Sequence, residues 1–335
     1  MSAARQSRRP PSHRHWFKAL RLDSLLDMQA LAPWLVVLSL LLALGCGDSS
    51  GSGGALGGGN GAGVQGGSAA SSMNAGGGGG DAGGESQGAA GTGGAGMSSG
   101  CAKGGPKPEG QQTLTVDGGE RSFFVVAATV SEPSPLIISF HGYGGTGQGD
   151  VGTFGLVEAT AGGATLVFPD GVSQDWYQNA VGWDTRNSDT TDIHFAQALI
   201  DAALEDHCVD PTRIYVVGFS WGGWMSNQVA CALGDEVRGF VSVAGGGPAG
   251  DCNASVGAMI VHGQADGAEP IAAGEESLDH WIGTNGCGSG SAPIEPAPCV
   301  AQDGCSKPVL WCEHGGGHEV PQFVRDSVWG FLLGL

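Results

Sequence analysis

The sequence predicts an α/β fold, a mainly parallel sheet with helices on both faces. Three observations predict it. Beyond residue 105, short β-branched runs alternate with stretches whose apolar residues recur at helical spacing. About 230 residues remain there, enough to bury one core. A Gly-x-Ser-x-Gly pentapeptide stands where one such run passes into one such stretch.

In chain order, 121–130 reads as a strand and 135–140 as a buried strand that breaks into His141-Gly142-Tyr143-Gly144-Gly145. A helix is expected over 152–161 and a strand over 165–168, followed by an irregular, aromatic-containing loop over 171–191. Thr191 or Asp192 can cap a helix running to 205, because Ile193, Ala196, Leu199, Ile200 and Leu204 share one face. The β-branched run 213–218 is a strand, and 222–233 continues as a helix. Strands are expected over 237–243, 258–262 and 309–312, and helices over 275–282 and 321–333.

The N-terminal third has a different character. Residues 31–44 are apolar and uncharged, but fourteen residues fall short of the roughly 20 a membrane span needs. With Arg5, Arg8, Arg9, Arg14, Lys18 and Arg21 upstream, 1–45 reads as a signal peptide. Its end, Ala43-Leu44-Gly45-Cys46, resembles the lipobox of bacterial lipoproteins, in which the Cys is lipidated; Ala43 stands where Leu is usual. Residues 46–105 read as a disordered linker, with 24 Gly among positions 47–100 and no apolar periodicity. As a coil that stretch would span roughly 40 Å, a suitable spacer between an anchor at Cys46 and a catalytic domain over 106–335. The expected location is therefore extracellular or on the cell envelope, touching a membrane only through that lipid, with a monomeric catalytic domain.

The formal net charge is −19; without the first 45 residues, eight basic residues face thirty-one acidic ones, a charge near −23. Such a surface repels phosphate backbones and excludes nucleic acid as a partner. Eight cysteines follow Cys46, namely Cys101, Cys208, Cys231, Cys252, Cys287, Cys299, Cys305 and Cys312. An even number after export suits up to four disulfides, with the pairing left open. No Cys-x-x-Cys pair occurs to favour zinc, and no cofactor or metal is expected.

The pentapeptide alone carries little information in a chain with 64 Gly. Gly47-Asp48-Ser49-Ser50-Gly51, Gly84-Glu85-Ser86-Gln87-Gly88 and Gly96-Met97-Ser98-Ser99-Gly100 match the same pattern. Context selects Gly218-Phe219-Ser220-Trp221-Gly222, the one match between a buried strand and a helix. The flanking glycines let a sharp strand-to-helix elbow close, so Ser220 is the candidate nucleophile of an α/β-hydrolase domain.

A serine hydroxyl needs a base, and in this fold the order is Ser, then Asp or Glu, then His. Of the downstream histidines, His262 lies within a strand and precedes the acid, and His280 falls in a helix. His314 and His318 both follow the last strand, and His318, beyond three glycines, is the favoured base. Asp266 follows the next-to-last parallel strand and is the candidate acid, with Glu269 and Glu275 as rivals. The oxyanion hole is expected from the backbone N–H groups of Tyr143 and Trp221. In the 171–191 loop, Trp176, Tyr177 and Trp183 either stack on substrate or cover the core.

These residues resemble the secreted polyhydroxybutyrate depolymerase and feruloyl esterase family of α/β-hydrolases. The segments that carry the resemblance are 139–145, 208–231, His262-Gly263-Gln264-Ala265-Asp266 and Gly315-Gly316-Gly317-His318, over roughly residues 112–335. The resemblance implies the same triad, Ser220, Asp266 and His318. Trp221 is bulkier than the family's usual residue, and Glu319-Val320-Pro321 replaces a common Thr-Trp-Pro; both bear on substrate more than on reaction. The expected activity is a serine esterase acting through an acyl-enzyme on feruloyl or acetyl esters of polysaccharide, or on polyhydroxyalkanoate esters. Two alternatives remain. One is a peptidase on the same fold, weakened because no propeller or cap domain precedes the catalytic region. The other is a non-catalytic, polysaccharide-binding surface lipoprotein, against which the complete Ser/Asp/His set argues.

Overall fold

The computed structural model describes residues 97–104 and 107–335. The signal peptide read over 1–45, the lipidation site Cys46 and most of the linker lie outside the described residues. The linker reading is too long at its C-terminal end. Residues 97–104 carry a short helix, α1 (Ser99–Ala102), held to the fold by the Cys101–Cys208 disulfide. Lys103 also pairs with Glu205 and Asp206.

Ten strands form one sheet. In chain order the elements are β1 (Gly110–Val116), β2 (Gly119–Val126), β3 (Ser134–Phe140), α2 (Gly147–Asp150), α3 (Leu156–Thr160) and β4 (Thr165–Pro169). Then follow β5 (Val172–Gln174), β6 (Ala180–Gly182), α4 (Thr191–Asp206), β7 (Val209–Phe219), α5 (Trp221–Ala232), β8 (Gly239–Val243) and β9 (Gly257–Gly263). The chain closes with α6 (Ile271–Thr284), β10 (Ser291–Pro293), β11 (Cys299–Gln302), β12 (Val309–His314) and α7 (Gln322–Leu333). The sheet order is β1-β2-β4-β3-β7-β8-β9-β12-β11-β10. Its central strands, β4 to β12 in that order, run parallel, while β1, β2, β10 and β11 extend the edges antiparallel.

The strands alternate between two apolar cores, as a period of two requires. On β7, Ile214 and Val216 face the side covered by α4, α5 and α6, and Tyr215 and Val217 face the side covered by α3 and α7. On β9, Ala258 and Ile260 face the first side and Met259 and Val261 the second. With helices on both faces, the inner strands are buried throughout and read as unbroken apolar runs.

Three expectations are corrected. The helix over 152–161 is replaced by α2 and α3, separated by a break at which Gly155 takes φ 63°. The loop over 171–191 is not irregular throughout: β5 and β6 pair as a two-stranded ribbon around a 3-10 turn at Asp175–Tyr177. Strands β1, β10 and β11 are not predicted by the apolar pattern. β1 is polar and mostly accessible, with little apolar signal, although Asp117-Gly118, at φ 50° and 80°, is a hairpin turn dipeptide.

The cysteines pair as Cys101–Cys208, Cys231–Cys252, Cys287–Cys305 and Cys299–Cys312. The last of these joins directly opposed residues of β11 and β12. Cys231, Cys252 and His280 cluster like metal ligands, but the two sulfurs are bonded to each other, which removes the thiolates a metal would need.

Asp150, the last residue of α2, is buried and accepts a 2.5 Å hydrogen bond from Ser139 near the end of β3. Burial pushes its carboxyl up to about 6, against smaller opposing effects from Ser139 and Thr153. From the ordinary carboxylate range up to that value the folded state holds the extra proton, so stability falls as pH rises through this window. Asp150→Asn, which keeps an acceptor for Ser139, should flatten this dependence and raise stability above pH 6 by about 2–3 kcal/mol. Urea unfolding at pH 4.5 and pH 7.5 measures it.

Candidate active site

The parallel strands β3, β7, β9 and β12 all end on one edge of the sheet, and the loops leaving them carry the candidate residues. Ser220 sits between β7 and α5 at φ 58° and ψ −122°, a conformation costly for a residue with a Cβ. The surroundings hold it there. Its N–H donates to Val243 at 2.9 Å, and its carbonyl accepts from Gly223 at 2.8 Å and Trp224 at 3.2 Å. The elbow also depends on two glycines: a Cβ at Gly218 would collide with the Gly222 carbonyl, and one at Gly222 with the Phe140 carbonyl.

Ser220 Oγ lies 2.8 Å from His318 Nε2, and His318 Nδ1 lies 2.8 Å from Asp266 Oδ2. The His318 ring packs against Phe219, with centroids 4.8 Å apart. The Asp266 side chain is buried, and its other oxygen accepts the N–H groups of Ala268 at 2.9 Å and Glu269 at 2.8 Å. Burial alone would raise this carboxyl. The bonds from Glu269, His318 and Ala268 outweigh it and hold the group below the usual carboxylate range, so Asp266 is an anion. An anion on Nδ1 fixes the tautomer that leaves Nε2 free to take the serine proton.

The backbone N–H groups of Tyr143 and Trp221 have no acceptor among the described residues. Gly142 lies against Ser220, close enough that a Cβ there would sit 3.3 Å from the Ser220 Cβ. The 141–145 loop is braced by His141, whose Nδ1 meets the Gly142 carbonyl at 2.7 Å and whose Nε2 accepts the Gly171 N–H at 2.9 Å. Burial lowers the pKa of this imidazole, in keeping with a neutral ring in which one nitrogen donates and the other accepts.

The phospholipase/carboxylesterase family matches residues 121–285, a span that includes Ser220 and Asp266. A protein of Aspergillus terreus named "Probable feruloyl esterase C" is 32% identical over 259 residues, which cover 71% of this chain and 92% of that one. The chain belongs to the feruloyl esterase and carboxylesterase family of α/β-hydrolases. Feruloyl esterase C of Emericella nidulans is 30% identical over 223 residues, covering 61% of this chain and 79% of that one. Among solved structures, the acetyl xylan esterase from Aspergillus awamori matches with a TM-score of 0.52 at 15% identity, covering 66% of this chain and 99% of that chain; it shares the fold. As a member of this family, the protein is a carboxylic ester hydrolase.

Against that esterase frame, the rival residues have other surroundings. His314 turns toward α7: its Nδ1 accepts the Gly316 N–H at 3.2 Å and its ring meets Phe323 edge-on at 6.3 Å. His262 is buried behind Asp266, with Nε2 at 2.9 Å from the Glu269 carbonyl. His280 faces Cys252 at 2.9 Å. Glu269 supports Asp266 through its backbone, and Glu275 is exposed on α6.

Trp183 does not line the site. It is fully buried, its indole N–H donates to the His141 carbonyl at 2.8 Å, and its ring packs edge-on against Phe140 at 5.1 Å. Sequence spacing alone could not separate it from Trp176 and Tyr177, which are partly exposed and pack against Trp221 at 5.7 Å and 5.2 Å. Tyr143, 64% exposed, stacks on the same Trp221 ring at 6.0 Å. His318→Gln should therefore lower kcat by roughly 10⁴-fold or more, whereas His314→Gln should stay within tenfold of the native enzyme. Ester hydrolysis by the two purified variants compares them.

Proposed function

We propose that the protein cleaves carboxylic esters through an acyl-enzyme at Ser220, with hydroxycinnamoyl esters as its preferred substrates. The unbroken chain Ser220–His318–Asp266, with both contacts at 2.8 Å, is the observation that carries the mechanism. His318 Nε2 takes the Ser220 proton as Oγ attacks the ester carbonyl carbon. The tetrahedral oxyanion accepts the N–H groups of Trp221 and Tyr143. As the carbon–oxygen bond to the leaving group breaks, His318 returns the proton to the departing alcohol. It then takes a proton from water, whose oxygen attacks the acyl carbon, and Ser220 leaves with that proton restored. The products are an alcohol and a carboxylic acid, and Asp266 stabilises the imidazolium at both stages.

The acyl preference is supported by the feruloyl esterase names of the relatives and by the aromatic surface of Tyr143, Trp176, Tyr177 and Trp221 beside the nucleophile. Such a surface stacks on a phenolic ring. Four disulfides support an exported protein.

The test sets the native protein beside Ser220→Ala on p-nitrophenyl acetate, methyl ferulate, acetylated xylan and hydroxybutyrate oligomers. Loss of roughly 10⁴–10⁶-fold in the variant is expected, with methyl ferulate giving the highest kcat/KM in the native protein. Equal hydrolysis by both proteins would overturn the acyl-enzyme at Ser220. A higher kcat/KM on acetylated xylan or hydroxybutyrate would overturn the acyl preference alone.

A further inference from the structure

The β5–β6 ribbon touches Trp221, one candidate oxyanion donor, and the residue next to Tyr143, the other. The Val181 carbonyl accepts the Gly144 N–H at 2.9 Å, one residue beyond Tyr143. The Gly182 backbone lies against the Trp221 indole so closely that a Cβ there would come within 2.4 Å of a ring carbon. The same ribbon carries Trp176 and Tyr177 at its turn.

One buried side chain connects these parts. Gln174 is 6% exposed, and both ends of its amide are used. Oε1 accepts the Trp176 indole N–H at 3.0 Å, while Nε2 donates to the Gly182 carbonyl at 3.2 Å and to Asp192 Oδ2 at 3.2 Å. The opposite amide orientation would set an NH2 group against an N–H and an oxygen against two acceptors, so the partners determine the assignment. The far end of this chain is buried. Asp192 accepts the Asp184 N–H and stands 2.7 Å from Arg121, with both side chains of that ion pair buried. The Arg121 guanidinium lies over the Phe195 ring at 4.2 Å and donates to the Asp170 carbonyl at 3.2 Å.

We propose that Gln174 is a positioning residue that couples the aromatic platform at Trp176 to the oxyanion hole. It holds Gly182 against Trp221 and, through the ribbon, Gly144 beside Tyr143, so both donors keep their aim only while its amide is engaged. The inference rests on the Ser220 mechanism and deepens it. A donor set out of line weakens transition-state stabilisation whatever the acyl group, and full loss of one donor costs roughly 10²–10³ in turnover. A residue that served only the platform would instead change KM for aromatic esters.

Gln174→Met keeps the length of the side chain and removes all three hydrogen bonds. With enzyme concentration set by active-site titration, kcat should fall roughly 10- to 100-fold on both methyl ferulate and p-nitrophenyl acetate. The inhibition constant of a boronic acid, which mimics the tetrahedral adduct, should rise by a similar factor, and KM for the acetate should change little. Gln174→Glu is a second, isosteric variant. At pH 8 its carboxylate cannot donate to Gly182; protonated, it can, and the adjoining Asp192 favours that proton. Its kcat relative to native should therefore recover as pH falls toward 5. A change confined to KM for methyl ferulate, or a kcat ratio for Gln174→Glu that is flat with pH, would overturn the inference. Labelling of Ser220 by a fluorophosphonate separates the two readings. A labelled native enzyme with unaffected Gln174 variants sinks only the positioning role, whereas an unlabelled Ser220 sinks the mechanism beneath it.

Discussion

Ser220 is held at φ 58° by backbone contacts from three directions, and the geometry of the site depends on that constraint. Strand β7 leads into it, Val243 at the end of β8 receives its N–H, and the first turn of α5 donates to its carbonyl. Gly222 passes the end of β3 with no room for a side chain. A strained residue persists only where its neighbours over-determine it. Here the neighbours are the three central parallel strands of the sheet, so rigidity at the proposed nucleophile comes from the buried core. The hydroxyl emerges on the sheet edge with the N-terminus of α5 behind it, a location that favours developing negative charge.

The proposed acid and base are positioned by a different means. Asp266 and His318 lie on loops after β9 and β12, and hydrogen bonds hold them in place of strained backbone. Two N–H groups from 268 and 269 hold one oxygen of Asp266, which leaves the other for His318. The carboxyl is thus oriented and ionised by the same contacts. His262 fills the space behind it and ties the loop through the Glu269 carbonyl. The 141–145 loop, proposed to supply an oxyanion donor, is organised by His141 from below and by the β5–β6 ribbon from outside, and the ribbon in turn rests on the buried Arg121–Asp192 pair. A buried pair of this kind contributes uncertain net stability. Its role here is geometric: it gives a surface ribbon a fixed point inside the fold.

The sequence by itself determined the central architecture, because strands buried on both faces must be apolar throughout and helices covering them must repeat at 3.6 residues. It also singled out Ser220 as the candidate nucleophile, through the strand before it and the helix after it, with candidate acid and base residues downstream. It did not reveal β1, β10 and β11: edge strands need few apolar residues, so the apolar signal is weak even though each pairs with a strand next to it in the chain. The tertiary structure brings His318 and not His314 to Ser220, since two histidines four residues apart differ in the direction a loop turns them. It alone separated Trp183, inside the core, from Trp176 and Tyr177, outside it, because burial is a property of what packs against a residue. The cysteine pairs and the contacts of Gln174 belong to the same class. Composition and spacing report what one segment can form, whereas these features depend on where several segments meet.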